Sequence, residues 1–174
     1  SFELFNIWEE GDLRKDVTCA MGVTIDGVYK PISGSVGAKT FQKKYITEIK
    51  QGQGCKANWK IIRYGDVLLM LSEALNENGK TNESLNYLNM IRNRGGLESL
   101  SGLAQNELRD RIYLERRFEL SFEGVRWFDL VRTGRAMEFL GPVGLKSHQV
   151  LMPVPLNQIE IMSNRNIFDQ NPGY

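Results

Sequence analysis

The sequence predicts a mainly α-helical protein whose helices pack as hairpins, with a small irregular, strand-containing insertion near the N-terminus. Between residues 60 and 94, apolar side chains recur every three or four positions, the spacing that places them on one helix face. The same spacing recurs between residues 109 and 132, among densely charged residues. Residues 16–59, in contrast, contain short β-branched segments separated by glycine-rich loops.

The composition is that of a folded globular domain. A length of 174 residues is enough for one domain with a core, and the net charge of +1 indicates neither a nucleic-acid surface nor an acidic tail. The sequence contains no run of eighteen apolar residues, so no membrane span is predicted. The start, SFELFNIWEEGD, is unlike a signal peptide and lacks an initial Met, so we expect a processed protein, a fragment or an isolated domain.

Cysteine and histidine offer little chemistry. Cys19 and Cys55 could form one disulfide or remain two thiols, and their spacing matches no metal site. The single histidine, His148, cannot supply a two-histidine metal site and argues against a histidine-based catalytic triad. We therefore predict neither a metal nor a cofactor.

Residues 1–59 are predicted to be irregular and strand-containing. Val17–Met21 and Thr24–Tyr29 are short and β-branched, and Asp26-Gly27 is a strong signal for a tight hairpin turn. Thr40–Ile49 could form a further strand. The remainder of this region is loop, rich in glycine and serine.

A helical hairpin is predicted next. The first helix spans Lys60–Asn78 and ends where Gly79 can adopt a left-handed conformation. The second begins at Thr81 or Asn82 and runs to about Arg94. The pair resembles one tetratricopeptide unit, which cannot bury both of its faces alone and needs neighbours. The predicted apolar stripe of the first helix consists of Ile61, Tyr64, Val67, Leu68, Leu71, Ala74 and Leu75.

The segment Arg109–Arg132 is predicted to be one long helix, a break at Gly124 and a second short helix. Charges of opposite sign alternate at helical neighbour positions, which favours a partly buried ion-pair frame that locks helices together. The residues predicted for this structural frame are Arg63, Asp66, Glu73, Glu115, Arg116, Glu119, Glu123, Arg126, Asp129 and Arg132.

Two other readings of these charges remain open. One is a solvated helix face. The other is an acid/base pair formed by Glu119 and Glu123, as in glycoside hydrolysis. Arginines within reach favour the ionised form of both carboxylates, whereas a proton donor requires the opposite.

The helical region, residues 60–140, is predicted to end at the Gly141-Pro142 break. Residues 141–174 are then predicted to form an extended tail. Residues preceding proline are pushed towards extended conformations, which indicates an extended segment over residues 150–155. Pro155 can open a short helical turn over Leu156–Ile161.

Three stretches resemble the SusD/RagB family. ERRFELSFEGVRWFDLVRTG, which begins at Glu115, is similar to the family's C-terminal signature. RYGDVLLMLSEALNENG, which begins at Arg63, and the closing LMPVPLNQIEIMSNRNIFDQNPGY resemble two further blocks. Gly65, Ser72 and Gly95 stand where the family usually carries alanine. A looser likeness extends back to GDLRKD, residues 11–16.

The resemblance implies that the chain is the C-terminal part of a longer, mostly helical, tetratricopeptide-containing lipoprotein of the outer membrane. Family members capture glycans, or peptides in some cases, at the cell surface and cap a SusC-like TonB-dependent transporter; they are not enzymes. The lipid anchor would then lie in the absent upstream part, whose docking surface this chain should expose as apolar side chains. The frame residues are interpreted as scaffold.

Candidate ligand-binding residues come from physical inference alone. Sugars are held by flat aromatic faces together with hydrogen-bonding side chains. Tyr29, Tyr45, Trp59 and Asn58 lie together in the irregular region, which makes residues 26–59 the best candidate for a glycan surface. The alternative is that these aromatic side chains cover the helical core. A helical-repeat scaffold for protein–protein interaction and a glycosidase are the competing functions.

Overall fold

The computed structural model describes residues 2–31, 40–45, 57–162 and 169–174. It divides into two compact units, Ser1–Gly124 and Val125–Tyr174. The described residues form eight α-helices, two 3-10 helices and one two-stranded sheet near the N-terminus. The predicted fold class, mainly α with a small β insertion, is confirmed.

The N-terminal region contains helices α1 (Phe2–Asn6) and α2 (Lys15–Thr18) and the strands β1 (Gly22–Ile25) and β2 (Val28–Pro31). The strands pair antiparallel with Ile25 opposite Val28. Asp26 and Gly27 form the predicted tight turn, with φ of 51° and 77° in the left-handed region.

The strand predicted over Val17–Met21 was wrong for its first half, which is the end of α2. The Asp12 carboxylate accepts the backbone N–H of Arg14 at 2.9 Å and so starts a helical turn. Of the strand predicted over Thr40–Ile49, only residues 40–45 are described. There, Phe41 and Ala20 exchange two backbone hydrogen bonds of 2.8 and 3.1 Å.

Helices α3 (Tyr64–Glu77) and α4 (Thr81–Arg94) form the predicted hairpin, and Gly79 adopts a φ of 76° in the turn between them. Helix α5 (Gln105–Glu119) packs against both. Small residues let α3 and α4 approach closely. The hydroxyls of Ser72 on α3 and Ser84 on α4 are buried and lie 2.9 Å apart. The apolar core between the three helices consists of Leu68, Leu69, Leu85, Leu88, Ile91, Leu108 and Ile112.

The buried face of α3 differs from the predicted stripe. Ile61, Tyr64 and Val67 are exposed, at 86%, 70% and 42%. Leu68, which belongs to the predicted stripe, is buried, and the other buried positions on this helix are Leu69, Ser72 and Asn76. Because Val67–Leu71 is one continuous apolar run, periodicity could not select the face. Asn76 occupies the interface because its amide and that of Gln105 each donate to the other's backbone carbonyl, at 2.9 and 2.6 Å.

Helix α5 ends five residues before the predicted break at Gly124. The chain leaves the helix after Glu119 and turns through Phe122, which has a φ of 64°, and Gly124, which has a φ of 82°. On this side of α5 a second apolar cluster contains Phe118, which stacks on Trp8 with ring centroids 4.4 Å apart. Cys19 is a buried free thiol in the same cluster, whereas Cys55 lies outside the described residues.

The second unit contains helices α6 (Arg126–Arg132), α7 (Ala136–Leu140) and α8 (Leu156–Met162). Two 3-10 turns, Gly141–Val143 and Ser147–Val150, lie in the region predicted as extended, which is therefore only partly extended. The α8 helix falls where a helical turn was predicted after Pro155. Among the described residues, no helix has the length and apolar character needed to cross a bilayer.

Candidate functional site

Three carboxylates follow one another along α5 and the turn after it. Glu115 and Glu119 are one helical turn apart, and Glu123 follows after the helix end. Their side chains are only 3%, 3% and 7% exposed. Five basic side chains from the N-terminal region, the irregular region, the start of α3 and α4 contact these carboxylates. The ion-pair cluster consists of Glu115, Glu119 and Glu123 with Arg14, Lys44, Arg63, Arg92 and Arg94.

Arg63 bridges two of the carboxylates. Its Nη1 donates to Glu119 Oε1 at 2.8 Å, while Nε and Nη2 donate to the two oxygens of Glu123 at 2.7 and 2.8 Å. Arg63 is the residue immediately before α3. One planar guanidinium therefore ties the start of α3 to the end of α5, a geometry that a lysine cannot reproduce.

Arg14 joins the N-terminal region to the cluster. Asp12 orients it, accepting from Nε and Nη2 at 2.9 and 2.6 Å. Its Nη2 lies 2.6 Å from Glu115 Oε1 as a charge contact without hydrogen-bond alignment, and its Nη1 lies 3.3 Å from Glu119 Oε2. Arg94 forms a further short hydrogen bond to Glu119.

Lys44 and Arg63 also satisfy the end of α5. The last carbonyls of a helix have no partner within the helix and attract positive charge. Lys44 Nζ donates to the carbonyls of Glu119 and Ser121 at 2.7 and 2.9 Å and to the Glu123 carboxylate at 2.7 Å. Arg63 Nη2 donates to the Glu119 carbonyl at 2.9 Å. These contacts account for the early end of the helix.

Two glycines stand where a side chain would collide with charged groups of the cluster. A Cβ on Gly65 would lie 2.8 Å from Glu119 Oε1, and a Cβ on Gly95 would lie 2.8 Å from Arg14 Nε. Both are positions where alanine was expected from the resemblance. Glycine therefore lets the charged groups approach the backbones of α3 and the α4 C-terminus.

The pKa values of neighbouring carboxylates in the cluster are shifted in opposite directions. Burial alone would raise the pKa of Glu119, but the hydrogen bond from Arg63 and the charges of Arg94 and Arg14 lower it below its usual value. The pKa of Glu123 is likewise lowered, since the hydrogen bonds from Arg63 and Lys44 outweigh burial. For Glu115, burial outweighs Arg14 and Arg92, and its pKa is raised.

The other predicted frame residues are distributed over the two units. Arg116 donates to Asp66 at 2.9 Å and joins α5 to α3, while Glu73 is half-buried on α3. In the second unit, Arg132 pairs with Asp129 at 2.9 Å, and Arg126 lies over the ring of Phe139.

Sequence reasoning missed several members of the network. Glu9 pairs with Arg92 at 2.8 Å, Asp12 orients Arg14, and Lys44 caps α5. The GDLRKD stretch resembles the family only loosely, and Lys44 carries no periodic signal. Long-range partners of this kind are placed by the fold rather than by local spacing.

A cavity of about 300 Å³ opens beside the ion-pair cluster. Its apolar wall includes Leu13, Val17, Phe118 and Tyr45. The size is at the low end of ligand pockets, which span roughly 300–1,000 Å³. We call it the basic cavity, because five basic residues line it beside the two carboxylates Glu119 and Glu123: Arg14, Lys44, Lys60, Arg63 and Arg94.

The predicted ligand-binding aromatics separate into two places. Tyr45 lines the basic cavity and stacks on Trp59, with ring centroids 5.3 Å apart and planes inclined by 8°. Trp59 is 59% exposed, and Asn58 beside it is exposed as well. Tyr29 instead belongs to the β-hairpin, where its ring covers Gly22 so closely that a Cβ there would lie 2.5 Å away.

The described residues contain no group of three or more His, Cys, Asp or Glu side chains able to hold a metal ion. The first unit is thus a helical hairpin packed on α5, with a buried ion-pair cluster that joins these helices to the N-terminal region. The chain belongs to the SusD family, whose model matches residues 30–174.

The similarity extends to whole-chain comparisons. SusD-like protein P2 of Formosa agariphila is 37% identical over 139 residues, which cover 71% of this chain and 27% of that protein. A SusD superfamily structure from Parabacteroides distasonis has a TM-score of 0.74 at 26% identity and covers 100% of this chain and 41% of its own. A laminarin-binding SusD-like protein has a TM-score of 0.67 at 30% identity, and the match covers 99% of this chain and 37% of that protein. The chain spans 21–27% of the length of three SusD-like relatives.

Proposed function

We propose that this chain is part of a SusD-like protein that captures glycans, or peptides, without catalysis and delivers them to a SusC-like TonB-dependent transporter. Family membership supports this, as does the similarity to a laminarin-binding protein. The parent protein would sit at the outer surface of the outer membrane, anchored by lipid through its upstream part. The proposal needs no cofactor and involves no nucleic acid.

The observation that carries the proposal is the stacked pair Tyr45–Trp59 at the basic cavity. A sugar ring has an apolar face that packs on a flat aromatic surface, and its hydroxyls need hydrogen-bonding neighbours. Trp59 offers its exposed face, and Asn58 and Lys60 flank it in the sequence. Tyr29 is a second candidate contact, on the separate hairpin.

The charge state of the cluster supports a binding role over a glycosidase. Hydrolysis of a glycosidic bond needs one protonated carboxyl group as the acid. The lowered pKa values of Glu119 and Glu123 keep both ionised, and Arg63 holds both. We therefore assign these residues to the scaffold.

An exposed apolar face on α3 supports a role for the upstream part of the same protein as a partner. Tyr64, Val67 and Leu71 lie exposed on this helix, and Ile61 and Ile62 precede it. Exposed apolar patches of this kind mark interaction surfaces. We propose that upstream helical repeats cover this face. It is also the observation that favours the second candidate function, a helical-repeat scaffold for protein–protein interaction.

Calorimetric titration of the full-length parent and of this chain with polysaccharides and peptide mixtures tests the proposal. We expect Trp59→Ala to weaken glycan binding about tenfold or more, because an aromatic anchor typically contributes on the order of 2 kcal/mol. Phe128→Ala is the matched control, since Phe128 is a 69% exposed aromatic on α6. Binding by the parent but not by this chain would place the site upstream. A parent that binds no glycan or peptide would refute the proposal.

A further inference from the structure

The basic cavity combines two kinds of recognition element. Tyr45 brings the aromatic pair to its wall, and five basic residues line it against two carboxylates. A low-dielectric concave surface lined mainly by one sign of charge concentrates the field that a bound ion experiences. Only charges without protein partners remain available to a ligand.

Most of the positive charge is already committed to protein partners. The three donors of Lys44 reach the end of α5 and Glu123. Every guanidinium nitrogen of Arg63 donates to Glu119 or Glu123, and Arg14 is held by Asp12 and Glu119. The same contacts neutralise the two carboxylates that line the cavity, so these do not repel an incoming anion.

Within the described residues, two basic groups that line the cavity keep unused donors. Lys60 is exposed, and among the described residues none forms a hydrogen bond or ion pair with it. Arg94 has a side chain that is 56% exposed, and within the described part of the chain only its Nη2 is engaged, by Glu119. Lys60 also follows Trp59 directly in the sequence. An aromatic surface and free positive charge therefore meet at one cavity.

We propose that the basic cavity binds the acidic substituent of a charged sugar, so that the captured glycan is anionic. The sugar ring would pack on Trp59 while Lys60 and Arg94 bind a uronate carboxylate or a sulfate ester, both of which pair with ammonium and guanidinium groups. This inference rests on the proposed glycan capture and specifies the ligand class of that same site.

The test compares oligosaccharides of matched length on this chain by calorimetry: a neutral laminarin-derived one, a polyuronate and a sulfated one. We expect a charged ligand to bind about tenfold more tightly than the neutral one, since one charge-assisted hydrogen bond supplies that much discrimination. The preference should shrink as salt rises from 50 to about 500 mM. Whether the uronate or the sulfate binds more tightly identifies the substituent.

Two lysine variants separate the cavity from general charge attraction. Lys60→Gln should remove the preference for the charged oligosaccharide over the neutral one. Lys80→Gln makes the same charge change on an exposed side chain next to Glu83, between α3 and α4, and should have no effect. Arg94→Gln should act like Lys60→Gln, with thermal unfolding recorded alongside because Arg94 also pairs with Glu119.

Three results would overturn the inference. Equal affinity for neutral and charged oligosaccharides would leave glycan capture standing but refute an anionic ligand. Equal losses in Lys60→Gln and Lys80→Gln would assign the preference to net charge rather than to the cavity. Absence of any glycan binding to this chain and to its full-length parent would refute the underlying function together with the inference.

Discussion

The two halves of α5 are fixed by different physics. Its N-terminal half buries Leu108 and Ile112 in the apolar core with α3 and α4. Its C-terminal half buries Glu115 and Glu119 in the ion-pair cluster. The free energy gained by apolar burial is roughly proportional to the buried area, so substitutions in the apolar core should lower stability gradually. A buried charge network depends on every partner, since removal of one leaves others buried and unpaired.

The largest effect is expected from Glu119→Ala. The change leaves Arg14, Arg63 and Arg94 converging on a site without its counter-charge. Breaking one side of a buried pair costs about 3–5 kcal/mol, which should appear as a lower midpoint in urea unfolding. Glu83→Ala, an exposed carboxylate near Lys80, is the control and should cost about 0–1 kcal/mol. Equal losses in both variants would mean that the cluster adds nothing to stability.

Conservative substitutions should separate the two halves further. Leu88→Met changes a fully buried core residue and should cost under about 1.5 kcal/mol, because the volume is nearly kept. Arg63→Lys keeps the charge but cannot bridge Glu119 and Glu123, and should cost about 2 kcal/mol. Both are measured by urea unfolding of purified variants. If the lysine variant were the more stable of the two, the geometric account of Arg63 would fail.

The sequence was sufficient where local chemistry decides. The Asp-Gly turn and the hairpin of α3 and α4 follow from glycine and periodicity. It failed where tertiary partners decide. The run Val67–Leu71 is apolar on every side, so its buried face depends on tertiary contacts such as the hydrogen bonds of Asn76 and Ser72.

The candidate site shows the same division. The carboxylates Glu115, Glu119 and Glu123 stand out in the sequence because their spacing is regular. Their partners Arg14 and Lys44 lie 105 and 75 residues before Glu119 in sequence, and no local pattern connects them to α5. Gly65 and Gly95 read as departures from a family pattern, yet each makes room for a charged group.

The smallest expected effect is a difference between Glu115 and Glu123, two carboxylates of the ion-pair cluster, in how their contributions to stability depend on pH. The folded-state pKa of Glu115 lies above its ordinary value of 4.5, so the folded protein binds more protons than the unfolded chain just above pH 4.5. Its contribution to stability therefore declines as pH rises through that window. Glu123 is shifted downward, so its contribution is present above pH 4.5 and is lost as pH falls below it.

The loss of unfolding free energy in Glu115→Gln, relative to the native chain, should therefore be smallest above pH 4.5. In Glu123→Gln this loss should be smallest at acid pH. Urea unfolding from pH 3 to 7 measures both profiles, with differences on the order of 1 kcal/mol for each unit of pKa shift. Leu88→Ala, an apolar change, should cost the same across the whole range. Parallel profiles for all three variants would show that burial does not set the Glu115 carboxyl apart from Glu123, and that the ion-pair cluster and the apolar core respond alike to pH.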